Sequence, residues 1–366
     1  MKVLVLANFG LGLYNFRKEL LEKLIEQNND VYVSLPNDEY VPRLEKIGCK
    51  FIDSPVCRRG TNPINDIKLL LHYKKIVKRI KPDVVLTFTI KPNVYGGIAC
   101  RINGVPYITN ITGLGIAVEN GGLLQKISLF LYKVALKKAK CVFFQNKQNR
   151  DFFIEKGILN GKHKIIPGSG VNLNYYRLLD YPTDDVINFL FIARVMKEKG
   201  IEQYLEAAEY IKKRYPNTKF HILGYLEQDY EDILMEMQKK GIIKYHGMQT
   251  DVREFHKFSH CTIHPTFYPE GMSNVLLETA ACGRPIITTN RSGCREIVDH
   301  GVNGYIVEQQ NTLDLIEKIK DFLRLDYEAK KLMGIYGRMK VEKEFDRRIV
   351  IKQYLEEIKN LNARME

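Results

Sequence analysis

An alternation of short apolar strands and amphipathic helices, which stops near residue 180 and then starts again, constrains the fold most strongly. At the start of the chain, a strand at 2–7 leads through a glycine-containing turn at 8–12 into a helical pattern at 16–27. A second strand follows at 31–35. Strand, helix and strand in close succession form a βαβ unit, and a βαβ unit implies a parallel sheet.

The alternation continues on both sides of a break at 181–185. Before the break, further strands are predicted at 84–88, 106–110, 141–144 and 164–166. After it, strands are predicted at 188–193, 219–223, 243–246, 261–264, 285–288 and 304–307. We predict an α/β protein of two doubly wound Rossmann-like domains, 1–180 and 181–345, with a cleft that faces the carboxyl ends of both sheets. A final helix at 346–366 would pack back toward the N-terminal domain.

Two glutamates flank the start of a helix that follows the strand at 261–264. Glu270 precedes the helix, Glu278 lies about one turn inside it, and between them come Gly271, Met272, Ser273 and Asn274. A glycine before a helix lets the backbone approach a ligand, and the free amides at a helix N-terminus favour a phosphate. The two carboxylates can accept hydrogen bonds from sugar hydroxyls. Either glutamate by itself would usually be interpreted as a solvated surface charge.

Two cations occupy the loop after the first strand of the second half. Arg194 stands at the end of that strand, and Lys199 lies in the turn before the next helix. A guanidinium fork and a point charge together suit a diphosphate. The simpler interpretation, two solvated loop cations, is the commoner one for either residue alone.

The spacing of these elements resembles glycosyltransferase family 4, the retaining enzymes of the two-Rossmann GT-B fold. The family pairs an Arg-x4-Lys-Gly element with a Glu-x7-Glu element, as 194–200 and 270–278 do here. The segment 293–304 is similar to the family's G-x-x-E-x-x-x-x-G-x-x-G segment. The resemblance covers nearly the whole chain and is closest to bacterial enzymes that build capsules, O-antigens and lipid-linked oligosaccharides.

The resemblance implies roles for individual residues. Arg194 and Lys199 would neutralise the donor diphosphate and the charge that builds on the leaving group. Glu270 would hold the donor sugar, and Glu278 would bind the ribose hydroxyls. The nucleotide base would lie near Gly224 and the turn at 246–248. Further donor contacts are implied for Gly12, Gly271, Met272, Ser273, Asn274 and Met248.

The implied reaction moves a hexose or N-acetylhexosamine from a UDP-sugar, used as co-substrate, to a glycan on a polyprenyl diphosphate. Other glycosyltransferases commonly hold a divalent metal with an Asp-x-Asp motif, and the chain contains none. We therefore expect neither a metal nor another cofactor, with Arg194 and Lys199 stabilising the leaving group instead.

The glycine turn at 8–12 allows two other interpretations. Gly10 and Gly12 form half of a dinucleotide fingerprint, and Asp38 lies near the end of the second strand, where such a site places an acid. Asn15 occupies the third glycine position, which weakens this hypothesis. A plain tight turn is the remaining interpretation.

Two segments of the N-terminal half resemble members that act on polyprenyl diphosphate carriers. Each follows a strand, at 87–96 and 110–115, and we assign Lys91 and Thr112 to the acceptor side. Many relatives have a histidine where Thr112 and Gly113 stand, so a histidine-assisted step is not expected. Lys91 could contact an acceptor phosphate or be only a cation at the end of a strand.

The positive charge lies in the N-terminal half. Residues 1–180 contain 28 Lys and Arg against 14 Asp and Glu, whereas the rest contains 28 against 29. Two predicted helices, 66–81 and 123–138, carry lysines beside apolar residues, and each lysine near an anionic leaflet contributes about 1 kcal/mol. We expect a cytoplasmic protein that lies on the inner membrane surface through this half, although such helices also occur as ordinary basic covers of a sheet. The seven cysteines form no C-x-x-C pair, as expected for buried thiols in a reducing compartment.

Two rival functions remain open. A GT-B sugar-nucleotide epimerase would use the same donor site and need no acceptor. A nucleic-acid-binding protein would explain the basic half, but the chain lacks a recognition-helix motif or a platform of stacking aromatics. We therefore do not expect a nucleic-acid partner.

Overall fold

The computed structural model describes residues 1–56, 60, 62–119, 121–159 and 161–362. They form two compact units, of which unit 1 is Met1–Ser169 with Arg348–Glu366 and unit 2 is Gly170–Arg347. The division thus precedes the break predicted at 181–185. The segment after Gly170 packs with unit 2, because Val171 lies in a core of that unit and Leu179 N–H donates to Cys282 O at 3.3 Å.

Unit 1 is built on a seven-stranded parallel sheet in the order β3-β2-β1-β4-β5-β6-β7. Its strands are β1 Lys2–Leu6, β2 Asp30–Leu35, β3 Lys50–Asp53, β4 Val84–Phe88, β5 Tyr107–Ile111, β6 Cys141–Phe144 and β7 His163–Ile165. The sequence predicted all of them except β3, a four-residue edge strand with no fully buried position. Such a strand lacks the apolar pattern on which prediction depends.

Helices cover both faces of this sheet. In the first segment of unit 1, the helices are α1 Gly10–Glu26, α2 Val41–Lys46, α3 Pro63–Ile80, α4 Gly97–Asn103, α5 Ile116–Glu119, α6 Gly122–Leu136 and α7 Lys147–Glu155, with a π-helical turn at Pro92–Gly96. Successive side chains of a strand point to opposite faces of the sheet, so they pack into separate hydrophobic cores. One face packs against α1 and α2, and the other against α3, α4, α6 and α7.

The glycine turn predicted at 8–12 is wrong, because α1 already begins at Gly10. Asp38 explains the early start: its carboxylate accepts a hydrogen bond from the Gly10 N–H at 2.6 Å and another from the Tyr40 N–H at 3.0 Å. A carboxylate at a helix N-terminus satisfies a free amide and favours the helix dipole. Asp38 therefore caps α1, and this contact explains its place after β2 without a dinucleotide.

Unit 2 is built on a six-stranded parallel sheet in the order β10-β9-β8-β11-β12-β13. Its strands are β8 Ile187–Ile192, β9 Thr218–Leu223, β10 Ile243–Tyr245, β11 Cys261–His264, β12 Ile286–Thr289 and β13 Gly304–Val307. Its helices are α8 Ile201–Arg214, α9 Glu231–Lys239, α10 Arg253–Phe258, α11 Asn274–Ala281, α12 Thr312–Arg324 and α13 Tyr327–Glu344, with a short 3-10 turn at Lys197–Lys199. The strand order reverses between β8 and β11, where doubly wound sheets bind ligands at the carboxyl edge.

The last helix, α14 Arg347–Asn362, returns the chain to unit 1. Tyr354 lies in the core beside Phe143, and its hydroxyl accepts a hydrogen bond from Asn110 Nδ2 at 2.6 Å. Glu357 is buried, and its carboxylate forms ion pairs with the Lys162 ammonium at 2.7 Å and the Lys164 ammonium at 2.8 Å. These ion pairs connect the helix to β7. Apolar packing and a buried carboxylate thus both fix α14 on this sheet.

The chain's thiols and helices add two observations. Six of the seven cysteines lie in the described residues, and all six are free and buried. Among the helices of the described residues, none is both long and apolar enough to cross a membrane.

Candidate functional site

The strongest candidate site lies where β8 and β11, neighbours in the sheet of unit 2, reach its carboxyl edge. Arg194 and Lys199 follow β8, and Glu270 follows β11. The two loops are joined by Glu198 O, which accepts hydrogen bonds from Phe267 N–H at 2.9 Å and from the Thr266 hydroxyl at 3.2 Å. Hydrogen bonds to one backbone carbonyl thus hold together two segments that are far apart in sequence.

Gly200 allows this close approach. It has φ +79° and a β-carbon at this position would overlap the carbonyl oxygen of Pro265. Only glycine adopts this conformation without steric cost and leaves room for the facing backbone. Gly200 therefore sets the position of Lys199, the residue before it.

Lys199 and Glu270 form an ion pair within the site. Their side chains are 11% and 15% exposed, so water screens the pair little. Burial alone would raise the pKa of Glu270, but Lys199 and, more weakly, Arg194 outweigh it and hold that pKa below its usual value. Glu270 is therefore an ionised acceptor, the form that binds sugar hydroxyls best.

Tyr268 places the two cations side by side. The Arg194 guanidinium carbon lies 5.1 Å from the centre of its ring, and the Lys199 ammonium 4.7 Å from it. Arg194 also approaches Glu227 at 3.7 Å. The negative face of an aromatic ring attracts cations and stabilises two like charges in proximity. The arrangement concentrates positive charge next to Glu270.

Helix α11 begins within this site. Ser273 occupies the N-cap position, but its hydroxyl does not cap the helix and lies 3.5 Å from Nε2 of His264. The first amide to donate within the helix is that of Leu277, to Ser273 O. The three amides before it, at 274–276, precede the helical ladder, and such amides bind phosphate oxygens. Burial lowers the pKa of His264 to about 3, so that its ring is neutral.

The segment at 293–304 supports the loop that carries Glu270. Glu296 accepts hydrogen bonds from the Gly293 N–H at 2.6 Å and the Ser292 hydroxyl at 2.9 Å. The turn so formed returns a bond, because Gly293 O accepts from the Ser273 N–H at 2.8 Å. A β-carbon on Gly293 would lie 2.7 Å from Gly271 O. The family-like glycines and Glu296 therefore act on the position of the 270–274 loop.

Glu278 lies in a separate, less polar environment. It is half-buried on α11, where burial raises its pKa to about 7 despite a hydrogen bond with Tyr176 and the charge of Arg347. Burial and the neighbouring Glu278 also raise the pKa of Tyr176. The two glutamates of the motif thus have pKa values shifted in opposite directions, Glu270 on the loop before α11 downward and Glu278 within α11 upward.

A second group of residues, predicted to bind the nucleotide-sugar, lies together at the ends of β9 and β10. Gly224 N–H donates to Gly247 O at 2.9 Å, and the Tyr245 hydroxyl donates to Gly224 O at 2.8 Å. Met248, next in the same turn, is exposed. Its contact with a base stays a prediction.

The remaining predicted residues lie in unit 1. Gly12 is in the first turn of α1, against the ring of Phe9. Lys91 pairs with Asp66 at 2.6 Å, and both side chains are largely buried. Thr112 directly follows β5, and Lys91 follows its sheet neighbour β4 after Thr89, which has the left-handed φ of +70°. Such strain in a non-glycine residue often marks a functional loop.

Sequence reasoning missed Tyr268 and Tyr176. Tyr268 lies two residues before Glu270, but only the fold shows that its ring faces Arg194 and Lys199. Tyr176 lies in a stretch without a motif, and its partner Glu278 is distant in sequence. A search for aromatic residues next to the motif could have found Tyr268, whereas no sequence signal marks Tyr176.

Comparison with known proteins gives matches over both halves of the chain. The family described as "Glycosyl transferase 4-like" matches residues 2–146, and "Glycosyl transferases group 1" matches residues 182–340. The chain belongs to glycosyltransferase family 4.

Individual relatives agree with this family. The chain is 26% identical, over 97% of both sequences, to the N,N'-diacetylbacillosaminyl-diphospho-undecaprenol alpha-1,3-N-acetylgalactosaminyltransferase of Campylobacter jejuni. It is 26% identical to the UDP-Gal:alpha-D-GlcNAc-diphosphoundecaprenol alpha-1,3-galactosyltransferase of Escherichia coli, over 69% of this chain and 70% of that one. The structure of Anabaena Alr3699/HepE in complex with UDP and glucose has a TM-score of 0.78 at 18% identity and covers 97% of this chain and 98% of its own. The GT-B fold of this glycosyltransferase is therefore confirmed.

The raised pKa of Glu278 predicts how donor binding by this glycosyltransferase depends on pH. If ribose hydroxyls donate to the ionised carboxylate, donor affinity should fall about tenfold from pH 8 to pH 6, because a group with pKa about 7 becomes mostly protonated across that range. Isothermal titration with donor at both pH values measures this, and Glu278→Gln should bind more weakly with little pH dependence. An unchanged pH dependence in Glu278→Gln would contradict the assignment.

The same group affects stability. Its pKa in the folded chain exceeds the ordinary value of about 4.3, so the folded state holds the proton more tightly and this contribution to stability falls as pH rises from about 4 to 7. In thermal melts, the melting temperature of Glu278→Gln minus that of wild type should therefore be larger at pH 8 than at pH 5.

Proposed function

We propose that this glycosyltransferase moves a hexose or N-acetylhexosamine from a UDP-sugar to a glycan on a polyprenyl diphosphate, with retention of the anomeric configuration. The observation that carries the proposal is the ionised Glu270 paired with Lys199, beside Arg194 and the N-terminus of α11. A carboxylate that accepts hydrogen bonds from sugar hydroxyls, next to concentrated positive charge, suits a sugar attached to a diphosphate. The Campylobacter and E. coli relatives support it, since both are named for alpha-1,3 transfer to undecaprenol-diphosphate-linked sugars.

The donor would lie along α11. Its diphosphate would bind Arg194, Lys199 and the amides at 274–276, and its sugar would donate hydroxyl hydrogen bonds to Glu270. The ribose would reach Glu278, and the base would lie against the turn that carries Met248. Two cations and a helix N-terminus supply positive charge where the leaving group develops negative charge. The proposal therefore needs no metal ion, and transfer should persist when EDTA is added.

Transfer would take place on one face of the sugar. The bond between the anomeric carbon and the diphosphate oxygen breaks, and the electron pair stays with UDP. The acceptor hydroxyl attacks the same face, its oxygen forms the new glycosidic bond, and its proton passes to the departing diphosphate. Arg194 and Lys199 would stabilise that diphosphate throughout, because they are placed before the reaction begins.

The acceptor diphosphate would meet unit 1 near Lys91 and Thr112, at the carboxyl ends of β4 and β5. Lys91 is already held by Asp66, which gives it a fixed position and costs little further side-chain entropy on binding. We propose that it contacts the acceptor phosphate while keeping this pair.

A thermal-shift panel tests the donor assignment. UDP-N-acetylhexosamines and UDP-hexoses should raise the melting temperature, whereas the matching GDP- and ADP-sugars should not. At a ligand concentration of about 100 Kd the stabilisation is about 2.7 kcal/mol, which corresponds to a shift of a few degrees. Stabilisation by GDP- or ADP-sugars alone would contradict the UDP assignment.

Product analysis tests the reaction type. An α-configured UDP-sugar should give an α-linked product on a polyprenyl-diphosphate acceptor, as read from the anomeric proton coupling by NMR. A β-linked product would refute retention. Isomerised donor formed without any acceptor would instead favour a GT-B sugar-nucleotide epimerase.

A further inference from the structure

Two helices of unit 1 carry several exposed apolar side chains. On α3, Ile64, Ile67 and Leu71 are all more than half exposed and follow each other at i, i+3 and i+7, so they form one stripe. On α6, the exposed residues are Leu123, Leu124, Ile127 and Phe130. We call these two stripes together the apolar ridge. Isolated exposed apolar residues are common, but periodic sets on two helices that both pack against α4 and the π-helical turn mark a contact surface.

The apolar residues of α3 divide between the core and the ridge. Of the apolar residues beside the lysines of α3, Ile76 and Val77 face the core with Leu69 and Tyr73. The exposed apolar residues all lie in the N-terminal half of the helix. On α6 the exposed positions are likewise concentrated in the first half of the helix, with Phe130 65% and Leu123 74% exposed. Helical periodicity alone shows a second face but not which face the sheet covers.

Both stripes lie at the carboxyl edge of the sheet of unit 1. Asp66, in the first turn of α3, pairs with Lys91 just beyond β4. Gln125, near the start of α6, donates to Val118 O in the connection that follows β5. Both helices pack against the π-helical turn Pro92–Gly96. The apolar ridge is therefore on the edge that also carries Lys91 and Thr112.

The charged side chains of the two helices that form the ridge are mostly basic, although the exposed Glu119 lies on α5, which packs against α6. Along α3 and α6 the only acid is Asp66, which Lys91 neutralises. The exposed basic residues of the two helices are Lys68, Lys74, Lys75, Lys78, Arg79, Lys126 and Lys133. Phe130 lies four residues after Lys126 and three before Lys133, so both lysines flank it on one helix face. Apolar side chains between solvated lysines match the acyl chains and anionic head groups of a phospholipid leaflet.

We propose that the apolar ridge is a membrane-docking surface that seats the carboxyl edge of unit 1 on an anionic phospholipid bilayer. Phe130, Leu123, Ile67 and Leu71 enter the head-group region, and the lysines contact lipid phosphates. The helices lie on the leaflet and do not cross it. Docking would bring Lys91 and Thr112 to the membrane surface, where a lipid-linked diphosphate is found. The inference does not depend on which donor the enzyme uses.

Vesicle sedimentation with the full chain, without donor or acceptor, tests the proposal. Wild type should partition onto vesicles of equal phosphatidylglycerol and phosphatidylcholine, and much less onto phosphatidylcholine alone. Leu123→Ser with Phe130→Ser should weaken partition about tenfold or more, because two apolar contacts are lost. Lys126→Glu with Lys133→Glu should weaken it about 25-fold or more, at about fivefold per lysine.

Matched controls come from unit 2. Leu313→Ser with Leu332→Ser removes two exposed apolar residues, and Lys239→Glu with Lys343→Glu reverses two exposed lysines. Neither pair should change partition by more than about twofold. Equal losses in ridge and control variants would overturn the proposal, as would wild type that does not bind anionic vesicles.

A second copy of this chain is the competing occupant of the apolar ridge. If analytical ultracentrifugation shows a wild-type dimer that Leu123→Ser with Phe130→Ser converts to a monomer, and vesicles bind neither, the ridge is an interface between two copies and the membrane proposal fails. Failure of the donor assignment looks different: vesicle binding would persist while no UDP-sugar stabilises the chain.

Discussion

Replacing Lys199 with alanine should lower the transfer rate by about a hundredfold to a thousandfold, the cost typical of removing one group that stabilises a leaving-group charge. Lys199 is held between Glu270 and the ring of Tyr268, so its ammonium is placed before the substrate binds. The loss should fall mainly on kcat, because the developing negative charge is greatest in the transition state. Steady-state kinetics with a UDP-sugar and a polyprenyl-diphosphate acceptor measure it.

Folding and catalysis can be separated in this variant. Without Lys199, the largely buried carboxylate of Glu270 loses this ion pair, which costs up to about 3 kcal/mol of unfolding free energy. The double variant Lys199→Met with Glu270→Gln removes both charges and should recover most of that stability without recovering transfer. Recovery of transfer in the double variant would mean that the pair is structural.

Lys197 provides the matched control. It lies in the same short turn, two residues earlier, and its side chain is 59% exposed. Lys197→Ala should leave both kcat and stability nearly unchanged, since exposed ion pairs contribute little. If Lys197→Ala and Lys199→Ala reduced transfer equally, the role of Lys199 at the leaving group would be refuted.

Gly200→Ala should destabilise the chain by about 3 kcal/mol and also impair transfer. Alanine at φ +79° costs about 1 kcal/mol by itself, and its β-carbon would overlap the carbonyl oxygen of Pro265, which cannot move without disturbing the end of β11. The displaced loop carries Lys199, and small errors in position are costly in catalysis. Urea unfolding measures the first effect and steady-state kinetics the second.

Gly241 separates the two causes. It has a similar φ of +70°, lies in the same unit, and has no atom within 4 Å of a built β-carbon among the described residues. Gly241→Ala should therefore cost only about 1 kcal/mol, and kcat should stay unchanged. Equal destabilisation by the two substitutions would show that conformation alone matters and that the contact with Pro265 does not.

Much of the fold was predictable from the sequence because each buried strand is a local signal. Of the thirteen strands in the described part of the chain, twelve were predicted within one or two residues, and the short edge strand β3 was missed. The start of α1 was placed too late, since the contact that ends the turn is the carboxylate of Asp38, 28 residues further on. Side-chain caps from a distant loop leave no mark in the helix itself.

The sequence by itself determined the fold class and the residue types of the candidate site. The alternation of apolar strands specifies doubly wound sheets, and the spacing of Arg194, Lys199, Glu270 and Glu278 places all four in unit 2. The tertiary structure decided how they are used. It paired Lys199 with Glu270 across 71 residues, put the Tyr268 ring against both cations, and gave Glu278 a raised pKa. It also separated the buried from the exposed face of α3 and α6. The physical reason is range: periodicity along a segment reports that a residue is buried, whereas charge state, pairing and exposure depend on which distant segment lies against it.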